Sequence, residues 1–266
     1  MVRGVARHTL AEGVRLQSGD IIEVGDKGLT QMELPDGAAL ALGPKTRALA
    51  ATLPRGKQTA AVFYVTQGEL KLAGVKPGAR LRIVTPLITL QGAEGATVMV
   101  LGNAEGALFV ESGEARLAAP HARGEAATTL RLKSGEFYTV KARQKAVVAT
   151  RPSPAFIGAL PKAFLDPLPA RMARYKDRPV RPQRLELVSY AEVETWLKAP
   201  LEFRRPMLPR FKSRAAEPAF RDALVANLHF HPEWDPVLFP EKYLPKEPEG
   251  DAARDAPAPA GPADKR

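Results

Sequence analysis

Apolar and polar residues alternate in short runs through residues 1–148. In Thr30-Gln31-Met32-Glu33-Leu34, Met32 and Leu34 fall on one face of an extended chain, and Glu69-Leu70-Lys71-Leu72 and Leu81-Arg82-Ile83-Val84 repeat the pattern. Val98-Met99-Val100-Leu101 is apolar throughout, as expected of a strand buried on both faces. Asp26-Lys27-Gly28 and Pro35-Asp36-Gly37 predict turns, because Asp closes an Asx turn and Gly supplies positive φ. A unit of small or polar residue, Gly, acid and alternating strand recurs at Ser18-Gly19-Asp20, Gln67-Gly68-Glu69, Ser112-Gly113-Glu114 and Ser134-Gly135-Glu136. Its uneven spacing argues against a regular solenoid, and four ordinary hairpin turns would look similar.

Beyond Thr150 the texture changes. Pro152, Pro154, Pro161, Pro167, Pro169, Pro179 and Pro182 leave little room for regular strands, so residues 149–188 read as an extended strap with a turn of helix near Ala170–Tyr175. Ser189-Tyr190-Ala191-Glu192 is a capping box, followed by Val193, Trp196 and Leu197 on one helical face and a stop at Pro200. A second helix begins near Glu217-Pro218, with Phe220, Leu224 and Leu228 as its apolar stripe. Residues 247–266 hold Pro, Ala, Asp and Gly without periodicity and read as a disordered tail.

The pattern as a whole predicts an all-β domain over 1–148, built as β-helix-like stacked strands or a meander. The Pro-rich strap over 149–188 follows, then a small helical basic segment over 189–246 and the tail. Aromatics are only 6% of the 266 residues, so small aliphatics must fill the core. The net charge of +10 is uneven: +3 over residues 1–140 against +8 over 141–248. Such a surface suits acidic partners, whether nucleic acid, anionic headgroups or wall polymers, although a solvated face would look the same.

Without cysteine there are no disulfides, thiolate metal sites or cysteine nucleophiles. No apolar run approaches the roughly 20 residues of a membrane span, and no apolar stretch follows Arg3 and Arg7 as in a leader peptide.

Gly19-Asp20-Ile21-Ile22, then Met32-x-Leu34-Pro35-Asp36-Gly37-x-x-Leu40-x-Leu42, form the first part of an ordered series. Tyr64-Val65-x-x-Gly68-Glu69-Leu70, Ile83-x-Thr85-Pro86, Phe109-Val110-x-x-Gly113-Glu114-Ala115 and Leu132-x-x-Gly135-Glu136 complete it. The series, covering about half the chain, resembles the FecR domain family. One departure is Gly92-Ala93, where that family carries Gly-Thr before an apolar strand. The resemblance implies a periplasmic all-β domain. In iron-uptake regulators, that domain carries a signal between an outer-membrane receptor and a membrane-spanning anti-sigma protein. A chain without the spanning helix is then expected to bind or scaffold, with an envelope protein or acidic glycan as partner.

No catalytic, cofactor or metal site is expected. The carboxylates Asp36, Glu69 and Glu114 sit at turns, where backbone capping explains them better than paired acid–base catalysis. Phosphate-binding glycine loops and nucleophile elbows do not occur. A metal-binding cupin barrel needs clustered histidines, and none lies between residues 9 and 120. His229-Phe230-His231 has ligand-like spacing, but a helix C-cap suits His229 better. The candidate partner-binding residues are Arg204, Arg205, Arg210, Lys212 and Arg214, interleaved with Phe203 and Phe211, together with Trp234. Trp234 reads either as an exposed anchor or as a buried, Pro-bracketed plug. If the arginines contact phosphates, a cytoplasmic nucleic-acid-associated protein is the alternative.

Overall fold

The computed structural model describes residues 1–54, 60–118 and 129–244; the tail expected over 247–266 lies outside them. The chain divides into two compact units, residues 1–211 and 212–266.

Among the described residues, the first unit is built on one large sheet of fourteen strands. In chain order these are β1 (Val2–Arg3), β2 (Ala6–His8), β3 (Ile21–Glu23), β4 (Thr30–Glu33), β5 (Ala39–Leu42), β6 (Arg47–Thr52) and β7 (Ala61–Val75). Then come β8 (Leu81–Val84), β9 (Thr89–Leu101), β10 (Glu105–Ala118), β11 (Thr129–Lys133), β12 (Phe137–Lys141), β13 (Val147–Ala149) and β14 (Arg184–Leu187). Every element among the described residues of 10–148 is a strand, as the alternation predicts.

Named strands pair antiparallel except β7 with β8. Coils stacked as a β-helix would pair in parallel, which these ladders, nearly all antiparallel, do not; the result is one large mixed sheet. β7 pairs with β6 and β8 through its first half and exchanges them for β5 and β9 after Gly68.

The glycines of the recurring unit all have positive φ, but Gly68 and Gly113 lie inside continuous strands rather than at hairpin tips. Gly113 faces Gly95 across β9 and β10, just past a register shift. A Cβ on Gly113 would collide with the Glu94 carbonyl, so only glycine lets the two backbones cross this bend.

The two faces of the sheet are covered differently. Leu40, Leu42, Phe63, Leu70, Leu72 and Met99 enter the main core with some two dozen other buried, mostly aliphatic residues. Ala41 and Val98, alternating with these, face the other way and pack on Leu160 and Phe164. The apolar run at 98–101 is therefore buried on both sides, as read from sequence.

Leu160 and Phe164 belong to a stretch with two short helices, α1 (Pro154–Ala159) and α2 (Lys162–Leu165). Neither was anticipated. Prolines suggested an extended strap, but Pro154 sits in the first turn of α1, where it is tolerated, and the Ser153 side chain caps that turn. Lys71, on the same face as Ala41, is 4% exposed. Its ammonium donates to the Phe164 and Asp166 carbonyls and pairs with Glu111 at 2.9 Å, tying α2 down.

Next come α3 (Tyr190–Leu197), α4 (Leu201–Arg204) and α5 (Met207–Phe211). The capping box at Ser189 and Glu192 is present, and Val193, Trp196 and Leu197 are fully buried. Tyr64 on β7 stacks on Phe203 at 4.4 Å and meets Trp196 edge-on at 6.2 Å.

In the second unit, α6 (Pro218–Ala226) and α7 (Asp235–Leu238) are separated by single 3-10 turns. Phe220, Leu224, Trp234 and Leu238 are buried there. Leu228 falls outside α6 in the turn Leu228–Phe230 and is half-buried, so the expected stripe is one member shorter. Asn227, not His229, caps α6: its backbone and side-chain N–H groups both donate to the Ala223 carbonyl.

Candidate interaction surface

The cations grouped by sequence at 204–214 hold different positions. Within the first unit, Arg204 is half-buried and donates to the Ala199 carbonyl at 3.2 Å. Arg210 is turned inward. Its Nε–H donates to the Gly4 carbonyl at 2.6 Å, and the terminal nitrogens reach the carbonyls of Gly19 and of Val2, the last at 3.1 Å. Burial pulls its pKa down to about 10, against an opposing pull from the Asp20 carboxylate. Arg205 alone of these three is exposed.

Within the second unit, Arg214 is 7% exposed, pairs with Glu217 and lies over the Phe220 ring at 5.3 Å. Lys212 is exposed. Trp234 is 1% exposed and meets the His231 ring edge-on at 6.4 Å, so it packs inside its unit and cannot serve as an outward anchor. The two histidines of the ligand-like spacing part company: His231 is fully buried, whereas His229 is exposed against Phe230. Among the described residues no group of three or more potential metal ligands occurs.

Of the three carboxylates expected at turns only Asp36 lies in one, whereas Glu69 and Glu114 stand within β7 and β10, and the three do not come together as a site. Asp36 accepts the Ala38 amide at 3.1 Å, Glu69 has its pKa raised by burial, and Glu114 pairs with Arg131 at 3.5 Å. Glu114 and Arg131 line a shallow polar cleft with Gly92, Ala93, Glu94 and Arg116.

A cationic surface does exist, 20 residues or so earlier in the chain, on the strap. Between 171 and 184 stand Arg171, Arg174, Lys176, Arg178, Arg181 and Arg184, with Asp177 the one acid of the run. All six cations are exposed.

The reason lies in how the strap backbone is held. Gln31 donates to the Pro169 carbonyl at 2.6 Å, and the amides of Arg171 and Met172 donate to Glu33. The Tyr175 ring sits on Gly13, whose positive φ and missing Cβ are both required, since a Cβ there would strike the ring. Partial burial and a hydrogen bond to Glu12 raise the Tyr175 pKa. Arg15 donates to the Lys176 carbonyl at 2.9 Å, Val180 bridges to Val14, and Gln183 exchanges hydrogen bonds with Thr9. β14 then adds to β2 as the last strand of the sheet.

The inner side of the strap is thus occupied by backbone pairing, and the long cationic side chains are left outside. Arg171 pairs with Glu12 at 3.3 Å, but Arg174, Lys176, Arg178, Arg181 and Arg184 have no acidic partner among the described residues. The density of Arg and Lys between the prolines was the available signal. That density does not by itself turn the side chains outward, which depends on backbone pairing with residues far back in the chain.

No family profile and no curated protein matches the chain. Two crystal structures, at 2.50 and 1.65 Å, each of a candidate anti-sigma factor from Parabacteroides distasonis ATCC 8503, share a partial likeness of fold. TM-scores are 0.42 and 0.40 at 17% identity, over 50% of this chain and 60% of each of those. No helix among the described residues is long and apolar enough to cross a membrane.

Proposed function

We propose that the chain is a non-enzymatic, FecR-like binding or scaffolding module of the bacterial cell envelope, working in the periplasm and docking on an acidic partner through its strap. The acidic partner is an envelope protein, a glycan or an anionic surface. The ordered motif series from Gly19 to Glu136 supports the FecR-type reading of the β-rich domain. The observation that carries the docking role is the run of exposed cations from Arg171 to Arg184 on a backbone fixed by residues 9–33. A surface held in place before binding loses little conformational freedom on association.

The cytoplasmic nucleic-acid reading relied on 204–214, and it is weaker because Arg210 and Arg214 already serve internal partners.

Binding to heparin, a soluble polyanion, tests the docking role. The parent should bind at physiological salt, with affinity falling as salt rises. Arg174→Glu/Arg178→Glu/Arg181→Glu should abolish binding, whereas Arg205→Glu/Lys212→Glu should leave most of it. Failure of the parent to bind, or loss only in the second variant, would refute the assignment. Submicromolar duplex-DNA binding at physiological salt would favour the nucleic-acid reading instead.

A further inference from the structure

We propose that the acidic partner of the strap is an anionic lipid bilayer, on whose surface residues 171–187 lie. This inference rests on the docking role above and names its partner.

The cations alone would suit any polyanion. The strap, however, also exposes apolar side chains: Met172, within the cationic run, is 50% exposed, and Leu185 and Leu187, just beyond Arg184, are each 44% exposed. A soluble acidic polymer gives these three nothing to bury against. A bilayer interface takes both kinds of group, with arginines and lysines at the headgroups and apolar side chains at the acyl boundary.

The acids near the strap do not oppose this. Glu33 is engaged by the Arg171 and Met172 amides, Glu12 by Arg171, and Glu186 by Arg7 at 2.9 Å. Only Asp177 stands among the cations. Each basic residue near an anionic surface raises affinity roughly fivefold, so a few cations and three shallowly inserted apolar groups can hold the protein reversibly. Backbone pairing fixes the strap, with a single 3-10 turn at Met172–Tyr175 and a strand at Arg184–Leu187, so it presents these side chains without having to form a long amphipathic helix.

Co-sedimentation of the full chain with vesicles tests this, using phosphatidylcholine alone or mixed with phosphatidylglycerol, and heparin binding measured in parallel. We expect sedimentation with the phosphatidylglycerol vesicles only, weakened by salt. Met172→Ser/Leu185→Ser/Leu187→Ser should lower vesicle affinity about tenfold or more and leave heparin binding intact. Arg174→Glu/Arg178→Glu/Arg181→Glu should abolish both. These side chains are exposed, so unchanged thermal midpoints are expected and serve as the folding control.

Heparin binding without vesicle binding overturns the membrane inference and leaves the docking role standing. Binding to neither overturns both. Equal binding to the two vesicle types, or an apolar variant that loses no vesicle affinity, also overturns the inference.

Discussion

Arg3, Asp20 and Arg210 show how much a charge depends on its surroundings. Asp20 is 1% exposed yet well partnered: Arg3 grips both of its oxygens, at 2.9 and 2.6 Å, and the Gln17 amide adds a third donor at 2.8 Å. Arg210 has no carboxylate in that role and instead gathers three backbone carbonyls from the start of the chain. Arg210→Ala should cost on the order of 2–3 kcal/mol in urea unfolding, because three charge-assisted hydrogen bonds to the backbone are lost. Arg210→Lys should recover only part of this, since an ammonium cannot span three acceptors as a planar fork does. A cost near zero for the alanine variant would mean that the arginine is merely a surface cation. Nothing in the local sequence separates Arg210 from Arg205, because what distinguishes them is supplied by Val2, Gly4 and Gly19, 191 to 208 positions away. Gly113 is the reverse case. Its glycine was legible as a turn, but its need for positive φ inside a strand follows only from the pairing with Gly95. Gly113→Ala should lose about 1–3 kcal/mol, and an unchanged midpoint would show that the bend tolerates a side chain.

At the scale of elements, those stabilised by nearby residues were the ones the sequence revealed. The strands of the β-rich domain show their alternation, and α3 shows its capping box and buried face. Helices α1 and α2 were hidden because they are short and depend on a distant surface, with Phe164 and Leu160 against Ala41 and Val98. Capping of α3 should be measurable. Ser189→Ala is expected to cost about 1 kcal/mol. Glu192 has its pKa lowered chiefly by the Ser189 amide, with Arg7 helping. Its ionised form therefore favours the folded state. That contribution is complete above the ordinary carboxylate pKa and disappears as pH falls through the lowered one. Glu192→Gln should flatten this part of the acid limb of the stability profile; identical acid limbs in parent and variant would contradict it. In the second unit, Leu224 is fully buried on α6, so Leu224→Ala should cost about 2–5 kcal/mol. A negligible loss would imply that α6 presents this face to solvent.

For the whole molecule, composition placed the basic half correctly but not the basic surface. Charge density along the chain marks both 171–184 and 204–214. What separates them is that the helices around 204–214 turn two arginines inward, whereas backbone pairing along residues 5–33 turns the strap side chains out. Arginine-selective chemical footprinting of the full chain, with and without heparin and read by mass spectrometry, tests this assignment directly. Arg174, Arg178, Arg181 and Arg184 should react readily in the free protein and be protected when heparin is bound. Arg205 should react equally in both states, and Arg210 and Arg214 should react poorly in both. Protection centred on Arg205, with the strap arginines reacting as in the free protein, would contradict the account.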